Sequence, residues 1–246
     1  MTQFKAGFFY LLSGFKLILK PGIRLYVVIP LLINTLLFTC AIIYGASLFG
    51  GLIDWLISQW QWIEWIKWLL WPLFVIIALI IVFFSFSLIA NLIGAPFNGF
   101  LAEAVENYLT GEEIIQPGEV SLIQEIIDAF KSEFQKFLYF LIRAVPLLLL
   151  FIIPMVNIVA PIIWFLFSAW MLVIEYMDYP MGNHQILFAE QRKKLSTNKQ
   201  LAFGFGLGVM ILTFIPVINF LVMPVAVAGA TRMLTEHKDK FLAPAD

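Results

Sequence analysis

The sequence predicts an all-α integral membrane protein: two long transmembrane helices, two half-penetrating (re-entrant) helical hairpins, and amphipathic interfacial helices. Three observations carry this. Of the 246 residues, 62% are hydrophobic and only 13% charged, with a mean hydropathy of +0.94, which excludes a water-soluble domain. Two uncharged runs, Tyr26–Phe49 and Leu69–Ile93, each exceed the ~20 helical residues that one crossing of a bilayer core needs. Two further uncharged stretches, Ala144–Ile174 and Leu201–Thr231, are broken near the middle by Ile153-Pro154-Met155-Val156-Asn157 and Ile215-Pro216-Val217-Ile218-Asn219. At 31 residues each, they are too long for one crossing and short of the ~40 that two crossings and a turn require. A hairpin that dips in and returns fits that length.

The elements follow in order within one membrane domain. Residues 1–20 place Phe4, Phe8, Leu11, Leu12, Phe15, Ile18 and Leu19 at helical spacing, with Lys5, Ser13, Lys16 and Lys20 largely elsewhere on the wheel, as in an interfacial amphipathic helix. The segment has no small-residue cleavage site and is expected to be retained. Pro21-Gly22 breaks it, and 22–50 forms the first crossing, with the single Cys40 as a small core residue. Gly50–Trp71 holds six of the eight tryptophans, an aromatic belt around a short external turn. The second long helix, 64–100, ends in a bend or exit at Gly94-Ala95-Pro96. Pro117-Gly118 makes a turn, and Ser121 with Gln124 reads as a capping box for an amphipathic helix over 119–143. The first hairpin (144–174), a polar segment (175–200), the second hairpin (201–231) and a charged, fraying tail (232–246) complete the chain.

Counting Lys and Arg sets the orientation. Four lie before Tyr26, three in Glu103–Arg143, four in Glu175–Lys199 and three in the tail, against one in the tryptophan-rich turn. The positive-inside rule then puts both termini and both polar blocks in the cytoplasm.

Several motifs could carry chemistry. Lys20-Pro21-Gly22-Ile23-Arg24 opens the first long helix, where unpaired N–H groups, a glycine and two cations suit an anion, or where Lys20 and Arg24 serve as interfacial anchors. Asn157 and Asn219 follow the hairpin prolines at the spacing of a cap for the returning half-helix, which would aim a positive helix end into the membrane. Asn34, Asn91 and Asn98 are further polar groups in or beside apolar runs, explained by interhelical hydrogen bonds or by a pore lining. Glu103 and Glu106 are expected to face water. Gly204-x-x-x-Gly208 and Ala226-x-x-x-Ala230 read as close-packing faces and, with so slight a body, as a basis for a homo-oligomer. No phosphate-binding Gly-x-x-x-x-Gly-Lys-Ser/Thr, catalytic constellation or metal-ligand spacing around His184 and His237 occurs, so neither enzyme activity, cofactor, metal nor nucleic-acid binding is expected. Paired broken hydrophobic segments point instead to a solute path.

Taken together, Lys20–Arg24, Asn91-Leu92-Ile93-Gly94-Ala95-Pro96-Phe97-Asn98, Tyr176-Met177-Asp178-Tyr179-Pro180-Met181-Gly182-Asn183-His184 and Pro224–Arg232 resemble the bacterial CysZ sulfate permease family over nearly the whole chain. The resemblance implies sulfate uptake across the bacterial inner membrane for cysteine biosynthesis, without an ATPase of its own, by an oligomer of two long helices and two half-penetrating hairpins per chain. It also implies that Gly22, Ile23 and Arg24 match the family's sulfate-binding Gly-Leu-Arg segment, with Ile for Leu and with Lys20 as an added cation. The competing expectation is a non-transporting membrane scaffold that assists or regulates another permease.

Overall fold

In the computed structural model of the protein, residues 2–112 and 122–243 are described, without the side chains of 61, 82–96, 122–130, 216 and 217. The Pro117-Gly118 turn and the Ser121–Gln124 capping box lie outside the described residues. The elements in order are α1 (Gln3–Leu17), α2 (Leu25–Gln59), a 3-10 turn (Gln61–Ile66), α3 (Lys67–Thr110), α4 (Leu122–Leu150), a 3-10 turn (Val156–Ile158), α5 (Ala160–Gly182), α6 (Phe188–Thr197), α7 (Lys199–Thr213), α8 (Pro216–Glu236) and α9 (Lys238–Phe241). The chain divides into two compact units, Leu25–Phe97 and a main unit made of the residues up to Arg24 together with those from Asn98 onward.

In the Leu25–Phe97 unit, α2 has 35 residues, about 52 Å at 1.5 Å per residue, and so outruns a ~30 Å hydrocarbon core. Its buried residues are Asn34, Phe38 and Ile53, while Leu32, Leu36 and Ile43 are exposed, a surface that lipid rather than water must cover. Cys40, expected in a core, is exposed as well; among lipids a small apolar side chain needs no protein neighbour. All six tryptophans from Trp55 to Trp71 are exposed around the turn, which an Asp54–Lys67 ion pair of 3.5 Å spans. Behind it Phe49 stacks on Phe74 with ring centres 4.5 Å apart. The bend expected at Gly94-Ala95-Pro96 does not end the element, for α3 continues through it to Thr110. Proline is tolerated in such helices because neighbouring groups can take up the freed carbonyl.

The main unit is built on α1, which packs against α7 and α8, while α5 packs against the same two helices. Of the apolar stripe read on α1, Leu11 and Ile18 are buried and Phe4 and Leu19 exposed, and glycines join the packed side. Gly7, Gly14 and Leu17 are buried, and Phe9 is exposed. Glycine explains the choice, since its missing side chain lets backbones meet. A Cβ at Gly7 would overlap the Leu201 carbonyl, at Gly14 that of Val225, and at Gly204 that of Phe4. On the far face of α7, Gly206 abuts the Ala169 carbonyl of α5. Ala226 and Ala230 are fully buried too. Both small-residue faces are therefore used inside one chain, so neither is left over to join subunits.

Among the described residues, four stretches are long and apolar enough to cross a membrane: Leu25–Gln59, Trp62–Ile81, Ala160–Gly182 and Ile218–Glu236. The two hairpins share a motif without sharing a structure. In the first, Pro154 sits in the turn, Met155 takes φ 68°, and α5 starts after the 3-10 turn with Pro161 in its first turn. In the second, Pro216 itself opens α8, so Asn219 already lies within that helix. Neither helix carries a side-chain cap, and the expected capping by Asn157 and Asn219 is not formed. Proline has done the work instead, having no N–H to satisfy and φ pre-set for a first turn. The tail differs from expectation as well. Helix α8 runs to Glu236, Phe241 of α9 is fully buried, and the Lys194 ammonium donates to the Ala243 carbonyl.

Candidate functional site

The turn between α1 and α2 holds Lys20, Gly22, Ile23 and Arg24. Gly22 adopts φ 89°, a left-handed conformation that costs other residues roughly 1–2 kcal/mol. That geometry bends the chain so that the Ile23 and Arg24 N–H groups both donate to the Lys20 carbonyl at 3.1 Å. Two of the backbone donors that the sequence assigned to an anion are thus spent on the turn itself. What remains is the Gly22 N–H with the exposed side chains of Lys20 and Arg24, held by Ile23, which is 2% exposed and anchors the turn. The Lys20 ammonium lies 5.6 Å from the Tyr108 ring centre. Among the described residues no carboxylate pairs with Arg24, which leaves its planar fork open to an oxyanion.

The five asparagines are dispersed. Asn34 is buried in the Leu25–Phe97 unit, its Oδ1 without a hydrogen-bond partner among the described residues. The side chain of Asn91 lies outside the described residues. Asn98 is buried in the main unit beside the Tyr179 hydroxyl, whereas Asn157 and Asn219 are exposed at the two hairpin turns.

Three charged networks in the main unit were not legible as pairs. Glu106, expected to face water, is 2% exposed. Its carboxylate accepts from His184 Nε2 at 2.9 Å, and Lys238 approaches at 3.6 Å. About two turns earlier on α3, the Gly99 carbonyl accepts from Asn183 at 3.0 Å, so the loop after α5 is tied to α3 twice. The second network surrounds Lys136 of α4, whose ammonium meets Glu133 at 2.7 Å, Asp178 at 3.0 Å and Glu175 at 3.3 Å. Burial alone would lower this ammonium's pKa, but Asp178, Glu175 and Glu133 outweigh it and hold Lys136 above the ordinary lysine range. In the third, the Tyr10 hydroxyl donates to Glu236 at 2.7 Å, and Arg232 Nε donates to the same carboxylate at 2.7 Å. Burial, then the contact with Glu236, pushes the Tyr10 phenol up to about 12.

A cleft of about 440 Å³ opens among Phe140 of α4, Met171 and Leu172 of α5, and Met210 and Phe214 at the end of α7. Among the described residues its polar lining is Ser168, Thr213 and Glu175, and the carboxylate repels an anion. Among the described residues, unpaired positive charge and an open backbone donor meet beside a glycine turn at Lys20–Arg24.

A family model described as Sulfate transporter CysZ/Etoposide-induced protein 2.4 matches residues 10–224. The match takes in the Lys20–Arg24 turn, both hairpin turns, and the Glu106 and His184 partners.

Proposed function

Because the chain belongs to the sulfate transporter CysZ/etoposide-induced protein 2.4 family, we propose that it conducts sulfate across the bacterial inner membrane, down a gradient and without hydrolysing ATP, supplying cysteine biosynthesis. The observation that carries this reading is the glycine-bent turn with the unpaired Arg24, inside the matched residues. Sulfate is a tetrahedral dianion, and a guanidinium fork, an ammonium and a backbone N–H offer it charge-assisted donors. Lys20, Gly22 and Arg24 hold it, and Ile23 fixes the turn from below.

The hairpins enter the bilayer only part way. Helix α7 has 15 residues, about 22 Å, too short for a ~30 Å core, and the uncharged part of α5, Ala160–Ile174, has the same length. Both termini lie in the cytoplasm by the Lys and Arg count. Asn157 and Asn219 are exposed at turns that sit at membrane depth, and polar groups there need protein or water beside them. A homo-oligomer supplies that cover and lines the path with these asparagines, together with Asn34, Asn91 and Asn98.

Flux of labelled sulfate into liposomes holding only this protein tests the reading. Uptake above empty liposomes that competes with unlabelled sulfate is the expected result. Absence of flux from folded, correctly inserted protein would favour a non-transporting scaffold, a possibility kept open by a family description whose second half names no transport.

A further inference from the structure

Two arginines converge on one aromatic ring. The Arg143 guanidinium carbon lies 3.7 Å from the Tyr139 ring centre and that of Arg192 5.2 Å from it, so the two cations stand no more than about 9 Å apart. The ring is fixed from several sides: the Trp170 indole N–H donates to the Tyr139 hydroxyl at 2.9 Å, and Phe188 meets its edge at 5.5 Å. Like charges repel, and ordinarily a carboxylate sits between two such cations. None does so among the described residues. Glu133, Glu175 and Asp178 converge on Lys136, and Glu190 pairs with Lys194.

The depth of the pair is also telling. Arg143 is the last charge before the uncharged stretch Ala144–Ile174, and its neighbours Ile142 and Val145 are exposed apolar side chains. A guanidinium beside lipid-facing residues at the end of an uncharged stretch stands at the level of the lipid phosphates. We propose that Arg143 and Arg192, oriented on Tyr139, clamp the phosphate of an anionic membrane lipid. Each planar fork can donate two hydrogen bonds to phosphate oxygens, while Ile142 and Val145 run beside the acyl chains. The clamp lies on α4 and α6 and shares no residue with the Lys20–Arg24 turn.

The test uses full-length protein in mild detergent, titrated with dihexanoyl phosphatidylglycerol and with dihexanoyl phosphatidylcholine, bound lipid being read by native mass spectrometry. Phosphatidylglycerol should bind about tenfold or more tighter, and R143Q/R192Q should abolish the preference. R143K/R192K, with the charge kept and the fork lost, should retain a smaller preference, and R24Q should retain all of it. Equal binding of the two lipids by the unaltered protein overturns the proposal without recourse to any variant. So does a preference that survives R143Q/R192Q. Displacement of the phosphatidylglycerol by equimolar inorganic phosphate or sulfate would identify a free-oxyanion site instead and refute the lipid assignment.

Discussion

Replacing Gly204 by alanine should separate α1 from α7. The new Cβ would fall within the Phe4 carbonyl group, with its oxygen and carbon both closer than real Cβ contacts allow and the Phe4 Cα tightly placed. Backbone atoms cannot rotate aside, so the helices must move apart by about 1 Å or more. A gap of that size forfeits a quarter to a half of the dispersion energy along the contact. Overpacking of this kind costs about 1–3 kcal/mol, occasionally more, and at a backbone clash the upper end applies. Alanine returns about 1 kcal/mol of helix propensity, leaving a net loss of about 2 kcal/mol, or roughly 4–8 °C in Tm. Gly14→Ala, against the Val225 carbonyl, should behave alike. Gly208 faces the ends of the Leu11 and Phe8 side chains, which can rotate, and Gly51 has nothing within 4 Å. Melting followed by tryptophan fluorescence in mild detergent should therefore rank Gly204→Ala and Gly14→Ala lowest, Gly208→Ala between, and Gly51→Ala at or above the unaltered protein. Gly204→Ala and Gly14→Ala melting as high as Gly51→Ala would refute the backbone-contact argument.

Arg24→Ala should weaken sulfate binding by roughly 10- to 150-fold, the worth of hydrogen bonds to a charged group, and Arg24→Lys should recover part; unchanged affinity measured by titration calorimetry would make Arg24 an interfacial anchor only. Cysteines introduced at Ile158 and Asn219 should resist a membrane-impermeant thiol reagent applied from outside while one at Glu64 reacts, and equal labelling at all three positions would mean full crossings. Lys136→Met strands three carboxylates and should cost about 3 kcal/mol, the lower end for a broken buried pair because Glu133 and Glu175 stay wetted, with chemical denaturation as the measure. The neutral Tyr10 phenol is favoured in the folded protein, so its contribution is complete below about pH 10 and is lost as pH rises through about 12. Thermal melts across that window should show the alkaline loss diminish in Tyr10→Phe.

Much of the architecture could be read from charge-free lengths, because a bilayer of fixed thickness imposes them on any sequence. The two long helices and both hairpin breaks were found that way. What failed was the inference from apolar to buried. In a membrane protein the outside is apolar too, so Cys40 of α2 resembles a core residue yet is exposed, and in α1 the closest contacts belong to glycine. Glu106 failed for another reason. Its partner His184 lies 78 residues away, and no local spacing announces so distant a pairing. At the candidate anion site the residue types were legible, whereas the loss of two N–H donors to the Lys20 carbonyl depends on the positive φ of Gly22, which glycine permits without requiring.

The glycine seam between α1 and its partners also bears on assembly in time. Helix α1 is made well before α7 and α8, against which it packs. Until those helices are made, Gly7, Gly14 and Tyr10 have nothing to receive them, and the long loop that must close delays their contact further. The main unit consequently gains its centre only when the second hairpin has emerged from the ribosome. A chain interrupted before Leu201 would present an unclaimed helix to whatever surveys nascent membrane proteins, making the last hairpin the step that commits the molecule to its native form.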